Sequence, residues 1–497
     1  MTVNLDPSRA PEAELKRAAL DALIKSKPGD AQRKKSSVID AQRDKRGDAM
    51  VILASRSLAS WLEDTTFVSQ LLERFNLAGT SVSEPGKIHV LSAAVDEVPR
   101  FDRRRNFYAS SEGLSILCGR LGNDLPSPWS EEEVKAGAQP CLEFRLPQVS
   151  YTGPLDVDIP LANTVFSNGR SHTLFASLWE ANGAQGLRLV EKVEKTRQRI
   201  FTEQTSSEKR LLSKGIVACP LVPLTNPRKI TAGLGNILRK IDINGESAPA
   251  SRELEAIIPL LLEQRQKQFG QNDDPLAAGP VGVWALIMPA TFARDYPQSD
   301  FLEPLNWKEY NPSDESRLAG NTVNVMGRLL AGGCQLRKIL SGGGGWGSKQ
   351  GLLSLDSQTS LAAGEQQDLE DFIKSFHGNR DSAGGIVAPG SYVQFFVEPA
   401  ALPGQDSKPY FPWSCYAQSS PTLALGTSGA APIPPQDGLA EAWPALFGAV
   451  SSQGIYLSRP DSAGNLDTVA SKLDAPCSYT ISTTSGFSIP SEGPREQ

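Results

Sequence analysis

The sequence is poor in the residues on which most hydrolytic enzymes depend. Its 497 residues include three histidines, His89, His172 and His377. None sits in an HExxH or GxSxG setting, so zinc-hydrolase and serine-hydrolase chemistry lose their usual signatures. The six cysteines (Cys118, Cys141, Cys219, Cys334, Cys415 and Cys477) are scattered without a CxxC pair, which removes zinc-finger and dithiol patterns. With no secretory signal in view they read as reduced, buried thiols of an intracellular protein. No window of about 18–20 residues is apolar throughout, so no transmembrane helix is expected. Peripheral association is then the membrane attachment left open. Positive charge is also short: 50 Lys+Arg against 56 Asp+Glu leave a net charge of −6. The field of the whole molecule therefore repels nucleic acid, and an RNA contact would need a local basic patch. Neither a metal nor a cofactor is expected.

Glycine and proline are plentiful, at 43 and 36 residues, which points to many turns and loops. The length allows two to four domains at about 100–200 residues each. Composition places a charged, disordered tail over 1–47, within which AELKRAALDALIKSK reads as a short amphipathic helix. The N-terminus also carries Asp6, Glu12, Glu14 and Asp21, which are out of place in a mitochondrial presequence. An α/β domain is expected over 48–139, then a β-rich and later helical domain over 140–270. An α+β domain with a glycine-rich loop follows over 271–400. A Pro/Ser/Gly-rich, partly disordered region over 401–497 ends the chain. The fold class is α+β and multidomain, with short mixed sheets, interspersed helices and KH-like modules.

Periodicity refines this picture. Helices are expected in SLASWLEDTTFVSQLLERFNL, in the charged run GLRLVEKVEKTRQRIFTEQTSSEKRLLSKG, in SRELEAIIPLLLEQRQKQF, in NTVNVMGRLLAGGCQLRKIL and in DLEDFIKSF. Strands are expected in KIHVLSAAVDEVP, LSILCGRL, CLEFRLPQVSY, DVDIPLANTVF, HTLFASLWEA, GPVGVWALIMP and SYVQFFVEPA. SNGR at 167–170 carries an Asn-Gly hairpin signal.

Three stretches stand out as functional candidates. In LSGGGGWGSKQGLLSLD (340–356), Gly342 to Gly347 give GxxxxG, but Ser348-Lys349 reverses the order that a phosphate-binding loop needs. A helix is expected before it, where that motif needs a strand. Gly342, Gly343, Gly344, Gly345, Trp346 and Lys349 then read as an interaction loop with a docking tryptophan. The alternative is a soluble enzyme or ligand-binding protein holding a phosphorylated ligand at Gly342–Lys349. In ITAGLGNILRKI (230–241), Gly233 and Gly235 fall between apolar residues, beside the basic collar Arg228, Lys229, Arg239 and Lys240. A strand, a glycine turn and a helix there would approximate the GxxG loop of a KH module, although the spacing is GxG and Asn236 replaces the second glycine. In FDRRRNFY, Arg103, Arg104 and Arg105 lie between aromatics, a mixture suited to stacking bases and pairing with phosphates. The carboxylate pair Asp156/Asp158 reads as loop charge without a histidine partner, and no residue is assigned a catalytic role.

Four segments, SEGLSILCGRL, IPLANTVFSNGRSHTLFASLWE, PLTNPRKITAGLGNILRKI and LSGGGGWGSKQGLLSLD, resemble the fungal mitochondrial inner-membrane-bound regulator family over about residues 48–400. The resemblance implies KH-like modules and a non-enzymatic role in mitochondrial gene expression and respiratory-complex assembly. Its partners would be RNA, the mitochondrial ribosome or the transcription machinery, in the matrix or on the matrix face of the inner membrane.

Overall fold

A computed structural model describes residues 1–25, 48–75, 86–102, 107–130, 139–146, 155–181, 186–201, 214–269, 281–295, 302–342, 351–358, 361, 387–400, 422–429, 432–436, 438–459 and 468–483. Mixed sheets dominate it, as the α+β reading holds in outline. The largest sheet has seven strands in the order β10 (Leu187–Glu194), β9 (Leu174–Ala181), β3 (Lys87–Val95), β2 (Ala49–Ser55), β6 (Gly113–Gly119), β1 (Thr2–Leu5) and β22 (Ala440–Trp443). A five-stranded sheet runs β11 (Arg197–Phe201), β7 (Cys141–Leu146), β8 (Leu155–Pro160), β24 (Ile455–Arg459) and β25 (Thr468–Leu473). A four-stranded sheet runs β12 (Lys214–Ala218), β26 (Tyr479–Thr483), β21 (Thr422–Thr427) and β23 (Leu446–Ser451), and β4 (Val98–Asp102) pairs with β5 (Phe107–Ser111).

The remaining strands close on themselves. β20 (Tyr392–Val397) pairs with β17 (Val283–Met288) along its whole length and with β14 (Arg228–Leu234) through Val393 and Tyr392. From β14 the ladder continues through β15 (Ile237–Ile243), β19 (Leu353–Leu355) and β18 (Gln335–Gly342) back to β17. The result is a six-stranded antiparallel barrel, to which β13 (Val222–Pro223) and β16 (Glu246–Pro249) add short pairings. Ile230, Leu238, Ile241, Ala285, Ile287 and Phe395 share its core with Leu254, Ile257 and Leu261 of α4 (Arg252–Phe269). The alternate residues of β17, namely Trp284, Leu286 and Met288, belong to a second core that also takes in the inner faces of the other large sheets. A strand buried on both faces explains why GPVGVWALIMP is an unbroken apolar run.

The far side of the seven-stranded sheet is covered by α1 (Glu12–Lys25) and α2 (Thr65–Phe75). Asp64 caps α2, its Oδ1 accepting from the Thr66 and Phe67 amides at 3.0 and 3.1 Å. Its other oxygen takes the Lys16 ammonium at 2.8 Å and so ties the two helices together. This hydrogen bond is the first cause holding the Asp64 carboxyl below its usual range.

Several expectations are corrected. Residues 2–5 are not tail but a buried strand between β6 and β22, and α1 follows them; positions 26–47 of the expected tail lie outside the described residues. The first half of the charged run forms β10 and β11 instead of a helix, and its positions 202–213 lie outside the described residues. β10 lies at the sheet's edge, where exposed charge is compatible with a strand and discourages further pairing. SNGR makes one helical turn, α3 (Val165–Asn168), closed by Gly169 at φ +78°. Beyond the short α5 (Ala290–Asp295), the expected helix over 321–340 stops at the end of α6 (Pro312–Ala331), because Gly332 caps it and Gly333 takes φ +94°; Gln335 onward is strand. The helix expected at DLEDFIKSF falls outside the described residues. The C-terminal region supplies strands to three of the sheets, so the four expected units are interleaved across their boundaries.

Leu5, 1% exposed on a strand paired along both of its sides, provides the test of the tail correction. Leu5→Ala should lower stability in urea unfolding by about 2–5 kcal/mol. Arg17→Ala, on the exposed side of α1, should stay within about 0.5 kcal/mol.

Candidate functional site

The sequence candidates fare unequally. Arg103, Arg104 and Arg105 lie in the connection from β4 to β5 and fall outside the described residues, as do Gly343, Gly344, Gly345, Trp346 and Lys349. The elements around them are described. The glycine-rich stretch joins β18 to β19 as the two arms of a hairpin. That corrects the expected helix-to-linker junction, and a strand on each side is not the strand–loop–helix of a phosphate-binding loop.

The 230–241 segment is also a hairpin, with no helix in it. Leu234 pairs with Ile237 across the two-residue turn Gly235-Asn236. Gly235 has φ +58°, at the first central position, where type II′ turns place glycine. Gly233 is needed for close approach, since a β-carbon there would collide with the Val387 carbonyl oxygen. Both glycines are thus accounted for by the barrel.

The basic collar divides. Arg228 is committed: its guanidinium makes a forked pair with Glu253, Nη2 to Oε1 at 2.6 Å and Nε to Oε2 at 3.1 Å. Lys229, Arg239 and Lys240 are exposed. The register breaks between Ile230↔Ile241, Ala232↔Lys240 and Gly233↔Leu238. That irregularity lets consecutive residues Arg239 and Lys240 both face solvent, whereas a regular strand would send one of them inward. Leu238 and Ile241 on either side remain fully buried.

Beside the hairpin's barrel lies a cleft of about 730 Å³ between α4 and the paired strands β17 and β18. Leu254, Ile258 and Pro259 form its helical wall; Val283, Trp284 and Ile339 form its strand wall. Ser341 and Gly342, at the root of the glycine-rich connection, reach its rim. The charged groups lining it are Glu255, Glu398, Asp474 and Lys338. Burial is the main reason the Asp474 carboxyl is pushed up, and the Trp284 indole N–H, donated at 2.7 Å, opposes it. Lys338 Nζ sits 5.6 Å from the Trp284 ring centroid. Three carboxylates against one ammonium give the cleft a field that repels phosphate. None of these carboxylates was singled out in the sequence. Their positions lie far apart along the chain, and only the i, i+3, i+4 set Glu255, Ile258 and Pro259 carries a local signal of a shared helix face.

A second charged surface crosses the five-stranded sheet. Directly opposed residues form one row: Arg199, Glu143, Asp158, Tyr456 and Lys472. Arg197 contacts both Glu143 and Asp158, the latter at 3.4 Å, and Arg199 pairs with Glu143 at 2.8 Å. Asp156, bound to Arg145 at 2.8 Å, and Asp158 are therefore strand residues in an ion-pair lattice and not loop charge. Burial first, and then the Glu143 charge, push the Asp158 carboxyl up to about 7. Among the described residues, no group of three or more His, Cys, Asp or Glu is placed to hold a metal ion, and no helix is long and apolar enough to cross a membrane.

No family model, curated protein or solved structure matches the chain.

Asp158 yields a pH prediction. Its folded pKa of about 7 lies above the ordinary 3.8, so the folded state holds the proton more tightly. The resulting contribution is fully present below pH ~4 and is lost as pH rises through ~7. Asp158→Asn should flatten that part of the stability profile, measured as the difference between wild-type and variant urea midpoints across pH 4–8.

Proposed function

We propose that the chain acts by binding, and that the outer face of the β14–β15 hairpin contacts RNA through Lys229, Arg239 and Lys240. The irregular register that turns Arg239 and Lys240 together toward solvent is the observation that carries this reading. Two adjacent cations on a rigid barrel strand can follow a phosphate backbone without ordering a loop first. With the molecule at −6 overall, such contact would be local and strongly salt-dependent. The finer assignment, a non-enzymatic factor in mitochondrial gene expression and respiratory-complex biogenesis, is supported by the resemblance of the four sequence segments. In this reading the recognition element is a β-hairpin of the barrel, in place of a KH-like helix pair at 230–241. The alternative of a phosphorylated ligand at the glycine-rich connection is disfavoured by the acidic cleft at its root.

The test is salt-dependent binding of single-stranded RNA. Arg239→Gln combined with Lys240→Gln should weaken binding about tenfold or more at low salt. It should also reduce the slope of log K against log salt by roughly 1.4, at roughly 0.7 per lost phosphate contact. The unfolding midpoint should not move, because both side chains are exposed. Unchanged affinity and slope would rule the hairpin out as the RNA contact.

A further inference from the structure

We infer that the cleft between α4 and the paired strands β17 and β18 binds a small organic cation, an ammonium carried on an apolar body. This inference is independent of the RNA contact, which uses the outer hairpin face.

Size and lining favour a small molecule. A volume of about 730 Å³ lies in the ~300–1,000 Å³ range of small-ligand sites, which are mostly apolar with a few convergent polar groups. Leu254, Ile258, Val283 and Ile339 supply apolar walls on opposite sides. The polar groups come from three separate parts of the chain: Glu255 from α4, Glu398 from the end of β20 and Asp474 from just beyond β25.

The carboxylates are held in place by donors from the protein. Ser251 Oγ donates to Glu255 Oε1 at 2.6 Å, the Gly282 amide to Glu398 Oε1 at 3.1 Å, and the Trp284 indole to Asp474 Oδ1 at 2.7 Å. One oxygen of each is thereby fixed, which orients the carboxylate without neutralising it. Lys472 lies 4.0 Å from Asp474 Oδ2 and Lys338 contributes a favourable charge there, while the Arg265 guanidinium is committed to Glu315 and reaches Glu398 only at its main-chain carbonyl. Glu255 and Glu398 have no ion pair among the described residues. A ligand ammonium in the cleft would satisfy them, and its hydrocarbon part would cover the apolar walls. A phosphate or carboxylate ligand would instead face the same field with the wrong sign.

Three probes of nearly one shape separate charge from apolar burial: 2-phenylethylamine, 2-phenylethanol and phenylacetate. Titration calorimetry and melting-temperature shifts on the full chain should show the amine binding most tightly and raising the melting temperature by mass action. The alcohol should bind about tenfold more weakly, and phenylacetate should not bind. Glu398→Gln keeps the oxygen that accepts from Gly282 but removes the charge. It should weaken the amine about tenfold and leave the alcohol unchanged, and Glu255→Gln should act in the same direction. Melting of each ligand-free variant, compared with wild type, separates lost binding from lost folding. Equal binding of the amine and phenylacetate, a flat response to all three probes at millimolar concentration, or a Glu398→Gln variant that folds and binds the amine normally would overturn the inference.

Discussion

The structure depends on β20 being paired along both of its edges. On one side it runs antiparallel to β17 from Val397 to Tyr392; on the other it meets β13 and then β14. Without that strand the barrel would be an open sheet with two edges, each presenting unpaired amides and carbonyls. Closure also gives β17 two buried faces. Ala285 and Ile287 pack into the barrel, while Trp284, Leu286 and Met288 pack into the core shared by the other sheets. One strand therefore couples the barrel to the rest of the molecule.

The helical cover is fastened by a buried ion pair. Arg265 of α4 meets Glu315 of α6 through two hydrogen bonds at 3.0 and 2.9 Å, and also donates to the Glu398 carbonyl at 2.8 Å. Tyr310 Oη and the Ala400 amide donate to the remaining capacity of Glu315. A buried pair with its hydrogen bonds satisfied costs little to keep and much to break, so α4 is held against the barrel at the point where the chain leaves β20. The cleft lies along the opposite stretch of the same helix, and its shape follows from that attachment. Its Glu398 is one residue past the closing strand, which puts part of the binding chemistry directly on the element that closes the barrel.

Strongly periodic segments were legible in the sequence: α2, α4, β3, β17 and β20 follow from their apolar spacing. The failures have physical causes. β10 has exposed charges that mimic a helix because its edge position leaves much of the strand open to water. The 230–241 glycines resembled a nucleic-acid loop, but Gly235 serves a turn and Gly233 makes room for Val387. The strand at residues 2–5 was hidden because its partners, β6 and β22, are more than a hundred and more than four hundred positions away. Of the site, Lys229, Arg239 and Lys240 were visible as a basic run; that Arg228 is neutralised by Glu253 was not. The cleft was invisible because Glu255, Glu398 and Asp474 come together only after the barrel closes.

Barrel closure is thus the claim on which the hairpin and the cleft both rest, and native-state hydrogen exchange resolved at single amides tests it directly. With partners on both sides, all the amides from Tyr392 to Val397 should exchange only through global unfolding. Fast exchange at alternate amides of that strand, the pattern of an open sheet edge, would contradict closure and with it the placement of both sites.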